Sequence, residues 1–287
     1  MARRFKPDVV TWDLVDASDR PPWADRAFHK WNILSEGDSW FTMAGLPTSN
    51  LLFELRFPVS TLIVNCAMPG DTIKHISTIA NNRGLMRGQS KQDGEQWDLI
   101  LLSGGGNDLI DEAGSILIDP DTRGSLKMAS PADYCNQAHL DALISRIVKG
   151  YQRIVELRDA PGAPSNGVPI VVHTYDYPTA NNSPARFLGI GLMGPWLYNA
   201  FRHDQIPEED WIGLSDYMFE FLAQGILSLQ GSLPHFHVVD TRNTIRRAKP
   251  GKRGESGDWL NEIHPKGRGY AKISKLISQK AIELVRG

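Results

Sequence analysis

The chain has few cysteines: only Cys66 and Cys135 occur among its 287 residues, far apart and in apolar or helical contexts. Two cysteines in a chain of this length do not form the framework of a disulfide-stabilised fold. The simpler expectation is therefore a protein of a reducing compartment, although the sequence is also compatible with one bridge.

Long apolar runs are missing as well. No stretch of about 18 consecutive apolar residues occurs, and so we expect no membrane span. Residues 1–6 carry three basic side chains, as the start of a signal peptide does. Three aspartates then fall within residues 8–16, where a signal peptide would continue with an apolar region. The sequence therefore predicts a cytoplasmic protein.

The chain also lacks an excess of charge of either sign, since its formal net charge is -2. This balance gives no reason to expect nucleic acid or a membrane surface as a partner. His235 and His237 share one face of a predicted strand, but two histidines do not make a metal site without further ligands, and none is evident. We therefore expect no metal and no other cofactor.

The amino-acid composition suits one large globular domain spanning residues 1–287. Apolar residues make up 41 % of the chain and charged residues 22 %, which allows a substantial core. Short, nearly continuous apolar runs predict five strands, at 30–36, 59–66, 97–103, 168–175 and 236–240. Apolar residues recur at helical spacing over 132–158 and again from residue 266 onward. Alternating strands and helices predict a three-layer α/β/α sandwich with a parallel sheet.

Two segments lie outside this alternation. Residues 1–29 precede the first predicted strand and are expected to form an N-terminal extension. Residues 177–210 are longer than a connection between a helix and a strand needs, and their apolar residues are interleaved with Gly189, Gly191 and Gly194. This insertion has two interpretations, an apolar flap over a pocket or a packed surface subdomain.

Active sites of parallel sheets form where the carboxyl ends of the strands meet the following loops. The first such loop contains the hexapeptide EGDSWF at 36–41, in which Ser39 follows a strand and Gly37 permits a sharp turn. Ser39 is therefore either a nucleophile or a cap of the next helix. Phe41 excludes the G-x-S-x-G elbow of the α/β-hydrolases.

The next two strand ends offer groups that can stabilise an anion. AMPGDT at 67–72 precedes a predicted helix, whose first N–H groups are unpaired, or it is an ordinary turn. SGGGND at 103–108 places the neutral amide of Asn107 beside a strand end, where it could donate to an oxyanion. This glycine-rich loop matches neither G-x-G-x-x-G nor the P-loop pattern, which argues against a nucleotide site.

A histidine suited to act as a base lies near the C-terminus. DWLNEIHP at 258–265 places His264 in a loop before the last predicted helix, with carboxylates nearby. A serine hydroxyl needs such a base within hydrogen-bond reach, and the pKa of histidine lies near neutral pH. On its own, a histidine at this position could equally be structural.

Taken together, the order and spacing of these four segments resemble those of the SGNH hydrolases, also called GDSL-like esterases and lipases. GDS at 37–39 is similar to the first block of that family, Gly70 to the second, GGND at 105–108 to the third and HP at 264–265 to the fifth. The resemblance extends over roughly residues 30–285 and implies a flavodoxin-like sandwich with a five-stranded parallel core.

The resemblance also implies a role for each matching residue. Ser39 would be the nucleophile, and its own N–H would be one donor of the oxyanion hole. Gly70 would contribute a second backbone N–H, and Asn107 a side-chain N–H. His264 would take the proton from Ser39 and return it to the leaving group. Asp38 and Asp108 match positions with a structural role in the family.

One position departs from the family pattern, because Asn261 stands where an aspartate is usual, three residues before the histidine. An amide oxygen can accept a hydrogen bond from the imidazole but carries no charge. Three interpretations remain open at this point. Asn261 or a backbone carbonyl orients His264, or Glu262 supplies the acid, or Asp258 folds back to do so.

The function implied is serine esterase activity on small-molecule carboxylic esters through an acyl-enzyme. The same residues could cleave thioesters or transfer an acyl group to an alcohol. A different class of function is a catalytically silent SGNH-like module that binds a carbohydrate or a partner, for which the departure at Asn261 is the only argument. The natural acyl donor and the oligomeric state do not follow from the sequence.

Overall fold

A computed structural model describes residues 4–42, 49–78, 82–89, 95–124, 130–187 and 190–286. Its main sheet has six parallel strands in the order β1-β3-β2-β4-β5-β8, and β6 and β7 form a separate antiparallel hairpin. The strands are β1 (Asp8–Val10), β2 (Trp31–Gly37), β3 (Thr61–Asn65), β4 (Leu99–Ser103), β5 (Ile170–His173), β6 (Ala185–Phe187), β7 (Ile190–Met193) and β8 (Phe236–Val239). The predicted parallel sheet and α/β/α fold class are confirmed.

The sheet has six strands rather than the five expected, and the additional one comes from the predicted N-terminal extension. β1 pairs in parallel with the outer side of β3, with Asp8 opposite Leu62 and Val10 opposite Val64. Only three residues take part, and a run this short gives no distinct apolar pattern in the sequence. The strand forms because the edge of β3 offers unpaired N–H and C=O groups.

The helices follow the strands as the alternating pattern predicts. They are α1 (Trp12–Asp16), α2 (Leu51–Glu54), α3 (Ile73–Ile76), α4 (Arg83–Gln89), α5 (Gly106–Asp111), α6 (Ala113–Ile116), α7 (Pro120–Arg123), α8 (Gln137–Arg158), α9 (Trp196–His203), α10 (Trp211–Leu227) and α11 (Gly267–Arg286). α8 begins five residues later than the predicted 132–158, because Pro131–Tyr134 forms a 3-10 turn and Asn136 caps the helix by accepting from the N–H of His139.

The two longest helices bury the apolar stripes that the sequence shows. On α8 the buried stripe includes Leu140, Leu143, Ile144, Ile147, Tyr151, Ile154 and Val155. On α11 it includes Tyr270, Ile273, Ile277 and Ala281. α8 packs with α3 and α10, whereas α11 packs with α2 and against β5 and β8. The strands between them are buried, as expected for a parallel sheet covered by helices.

The predicted insertion 177–210 contains the β6–β7 hairpin and α9. Leu197 and Phe201 of α9 are buried in the core, while Met193 at the end of the hairpin is exposed. Leu188 and Gly189 of this segment lie outside the described residues.

Three further properties concern the described residues only. None of their helices is long and apolar enough to cross a bilayer. They include no cluster of three or more histidine, cysteine or acidic side chains arranged to hold a metal ion. Cys66 and Cys135 are both free thiols.

Candidate active site

The site begins where β2 and β4 end side by side. The N–H of Asp38 donates to the carbonyl oxygen of Ser103 at 3.1 Å. At this point the strands approach so closely that a Cβ on Gly37 would lie 2.7 Å from that same carbonyl oxygen. Only glycine fits there, and the close contact places the next residues, Asp38 and Ser39, at the rim of the sheet.

Beneath this rim, the side chain of Asp38 holds the loop rather than facing a substrate. Its carboxylate accepts hydrogen bonds from the N–H of Trp40 at 3.0 Å, from the hydroxyl of Ser103 at 3.0 Å and from the hydroxyl of Tyr175. Ser103 lies 3.0 Å from Nε2 of His173, which extends the buried network. Burial raises the pKa of Asp38 to about 6 although its three donors oppose the shift.

Ser39 and His264 meet above this network, 225 residues apart in the chain. The Oγ atom of Ser39 lies 2.7 Å from Nε2 of His264. On the other side of the ring, Nδ1 lies 3.1 Å from the Oδ1 atom of Asn261. The imidazole is thus held between a hydroxyl and an amide, in the order in which a serine, a base and an orienting group must stand for nucleophilic catalysis.

The orientation of the Asn261 amide fixes the tautomer of His264. Oδ1 of Asn261 also accepts from the backbone N–H of Ile263 at 3.1 Å and of His264 at 2.9 Å. An amide nitrogen could not accept these bonds, so the oxygen faces the ring. Nδ1 of His264 therefore carries the proton and donates to Asn261. Nε2 is left with a lone pair to accept the hydroxyl proton of Ser39.

Glu262, one of the alternative acids, faces away from His264. Its buried carboxylate accepts the backbone N–H groups of Asn181, Trp196, Leu197 and Tyr198. Burial raises the pKa of Glu262 to about 7, against the effect of these four donors.

Asp258, the other alternative acid, also has partners elsewhere. Its carboxylate accepts the backbone N–H of Arg246 at 2.8 Å and forms ion pairs with Arg268 and Lys272, both at 2.6 Å. These partners, above all Lys272, lower its pKa to about 2 despite the opposing effect of burial. The structure thus brings Asn261 to His264 and leaves both carboxylates in other interactions.

The pKa of His264 reflects this neutral partner. Burial lowers it to about 4, and no carboxylate opposes the shift. A charged imidazole is disfavoured in this place, because Asn261 offers only a dipole. His264 is consequently neutral and able to accept a proton at neutral pH and somewhat below it.

The loop that contains Gly70 is fastened on both sides to the other site loops. Before the glycine, the N–H of Met68 donates to the carbonyl oxygen of Gly37 at 3.1 Å. After it, the carbonyl oxygen of Asp71 accepts from the side-chain amide of Asn107 at 3.0 Å. Gly70 itself has φ of +81°, a left-handed conformation that favours glycine.

Asn107 lies in the first turn of α5, directly after the end of β4. Gly105, with φ of +99°, makes the turn between strand and helix. Asp108 then accepts the N–H of Ile73 at the start of α3 at 2.8 Å. These features fix the backbone on both sides of Asn107. One of its N–H groups holds Asp71, and the amide has a second N–H to donate.

Comparison with known proteins rests on structure alone, since no family model and no curated protein matches the chain. The extracellular lipase of Streptomyces rimosus superposes with a TM-score of 0.51 and 13 % sequence identity, covering 88 % of this chain and 99 % of the lipase. The chain has the SGNH hydrolase fold. A family 3 carbohydrate esterase of Clostridium thermocellum matches with a TM-score of 0.47 at 14 % identity, over 89 % and 97 % of the two chains.

Within this SGNH fold, Ser39 and Asn107 line the same pocket. The wall is largely apolar and includes Ile110, Tyr175, Pro178, Phe219, Trp259 and Ile263. A pocket with a largely apolar wall and a few polar groups suits a small acyl chain or a similar apolar group.

The sequence did not identify most of the pocket wall. Ile110 and Phe219 belong to helical apolar stripes, and nothing distinguishes them from ordinary core residues. Tyr175 had a usable signal, since it stands at the end of the predicted strand 168–175, on the edge of the sheet where the SGNH fold has its loops. The network beneath Ser39 also depends on His173, for which the sequence offers no comparable indication.

Proposed function

We propose that this protein is a serine ester hydrolase that works through an acyl-enzyme. The observation that carries the proposal is the 2.7 Å approach of the Ser39 hydroxyl to Nε2 of His264, beside an apolar pocket. The opposite ring nitrogen is held by Asn261, so that Nε2 is the nitrogen without a proton. Acyl transfer by a serine nucleophile uses this combination of hydroxyl, base and orienting group.

In the proposed reaction, Nε2 of His264 takes the proton of Ser39 as Oγ attacks the ester carbonyl carbon. The oxyanion that forms is stabilised by the backbone N–H groups of Ser39 and Gly70 and by the free N–H of Asn107. The intermediate collapses when the imidazolium gives its proton to the departing alcohol. Water, activated by the same histidine, then attacks the acyl-enzyme and releases the acid.

The test uses p-nitrophenyl acetate, butyrate and octanoate together with a fluorophosphonate probe. We expect hydrolysis of the shorter esters and one phosphonyl adduct per chain, located on Ser39 by peptide mass spectrometry. The buried Ser103 is a matched internal control, because it also lies against a histidine, His173, and should stay unlabelled. A folded protein with neither hydrolysis nor labelling would instead favour a silent binding module.

Asn261→Asp tests the neutral partner of the base. A carboxylate at this place would stabilise the imidazolium, so the pKa of His264 should rise from about 4. The acid limb of the kcat/KM profile should therefore move to higher pH, since His264 would be protonated over more of the acidic range. At pH 8, kcat should increase about tenfold, because a carboxylate stabilises the imidazolium that forms in the transition state.

The control for this prediction is Asn261→Ala, which removes the acceptor without adding charge and should lower kcat at every pH. An acid limb that stays in place in Asn261→Asp would show that residue 261 does not govern the base.

A further inference from the structure

Glu262 is a buried acid whose carboxylate the proposed reaction does not use. It lies between Asn261 and His264 in the chain and is only 2 % exposed. Its two oxygens accept backbone N–H groups from a segment more than sixty residues earlier, with distances of 3.2 Å to Asn181, 3.1 Å to Leu197 and 2.8 Å to Tyr198. The N–H of Trp196 is the fourth donor.

Three of these four donors form the beginning of α9. The first N–H groups of a helix have no partner within the helix, and α9 has no side-chain cap of its own because Pro195 precedes it. Glu262 takes the place of the missing cap, and when it is ionised its negative charge faces the positive end of the helix dipole. The N–H of Glu262 also donates to the carbonyl oxygen of Ser183 at 3.0 Å. Through Glu262, five hydrogen bonds thus join the loop that contains His264 to the insertion 177–210.

Trp196 is the first residue of α9, at the helix end that the Glu262 carboxylate holds. Its indole lies against the imidazole of His264, with ring centroids 6.4 Å apart and an interplanar angle of 72°. The edge-to-face contact limits the rotation of the imidazole about its side-chain bonds. His264 therefore has two restraints, a hydrogen bond to the neutral Asn261 and the ring of Trp196.

We propose that Glu262 is a positioning residue, which holds Trp196 against His264 and so keeps the imidazole aligned with Ser39. The role rests on the proposed hydrolase function. It matters in this chain because an amide holds the ring less strongly than a charged aspartate would. Loss of the second restraint should then reduce the fraction of molecules in which Nε2 faces the hydroxyl, which lowers kcat more than it raises KM.

The test is Glu262→Gln, which keeps the size of the side chain but replaces one accepting oxygen with an NH₂ group. We expect kcat for p-nitrophenyl butyrate to fall about tenfold with KM changed less than about threefold. Trp196→Ala should reproduce the loss. Because both changes remove one restraint, the double variant should be no slower than the slower single variant.

Asp258→Asn is the matched control. It removes another buried carboxylate from the same loop, but one that is attached to Arg268 and Lys272 of α11. It should lower the Tm and leave kcat within about threefold, whereas a merely structural role of Glu262 would make the two variants behave alike. Hydrogen exchange adds a readout independent of activity, since the amides of residues 196–198 should exchange faster in Glu262→Gln only.

The proposal is overturned if folded Glu262→Gln keeps its kcat, or if the effects of the two single variants add. These outcomes require a wild-type protein whose hydrolysis disappears in Ser39→Ala. If the wild type itself shows no hydrolysis that depends on Ser39, the hydrolase function fails first, and the positioning role falls with it.

Discussion

Ser39→Ala and His264→Gln are each expected to lower kcat for p-nitrophenyl butyrate by about 10⁴-fold or more. Without Oγ no acyl-enzyme forms, and without Nε2 the hydroxyl has no base at 2.7 Å. The double variant should be scarcely slower than either single one, because a nucleophile and its base act as a unit. Initial rates corrected for spontaneous hydrolysis measure all three.

A control for the serine is Ser274→Ala. Ser274 is fully buried on α11, and its hydroxyl donates to the carbonyl oxygen of Leu51 at 2.8 Å. The substitution should reduce the Tm and leave the rate close to that of the wild type. Rates of Ser39→Ala and His264→Gln that match the wild type would remove both residues from the mechanism.

Asn107→Ala should lower kcat by about 10² to 10³-fold, the usual effect of deleting one oxyanion-hole donor. The charge it stabilises exists only in the transition state, so KM should change little. Comparison of kcat and KM for p-nitrophenyl acetate and butyrate measures the effect.

The matching control for Asn107 is Asn82→Ala. Asn82 is another buried asparagine, whose amide donates to Glu36 at 2.8 Å, and neither of these two residues lines the pocket. Both variants lose buried hydrogen bonds and should have a lower Tm, but only Asn107→Ala should lose most of its kcat. Similar losses in the two variants would point to general destabilisation instead.

The described part of the chain contains two serine–histidine pairs of similar geometry, and their surroundings distinguish them. Ser103 and His173 are 3.0 Å apart, but both side chains are buried and Nδ1 of His173 is held by the carbonyl oxygen of Thr174. Burial lowers the pKa of His173 to about 4, as it does for His264. Only Ser39 of the two serines lines the pocket. Distance alone is therefore not a sufficient criterion for a nucleophile in this molecule.

The positions of Ser39 and Asn107 were predictable because a simple geometric rule applies to them. Both follow predicted parallel strands, and the carboxyl ends of such strands share one edge of the sheet. The strands themselves are marked by buried apolar runs such as 97–103, which the structure has as β4. The choice among Asn261, Glu262 and Asp258 could not be made in this way. These three polar residues lie within five positions of one another, and each could act as the partner of His264. Which of them faces the imidazole depends on the path of the loop backbone, which the sequence does not show.

The other features that the sequence did not predict depend on contacts between residues far apart in the chain. β1 forms only because an edge of β3 is available, and its three residues carry no pattern of their own. The bonds from Glu262 to α9 join residues 64 to 66 positions apart. Local sequence predicts neither contact, because each depends on a partner far away in the chain. The partner of β1 is β3, and the partner of Glu262 is α9.

Tyr175 limits how the pocket could be remodelled. Its ring forms part of the wall, while its hydroxyl donates to the buried carboxylate of Asp38. Shortening this side chain to admit a bulkier substrate would also leave that carboxylate short of a donor, at a cost of about 1–3 kcal/mol. Ile110 and Phe219 form hydrocarbon wall only, and an engineer seeking a wider substrate range would begin with those two positions.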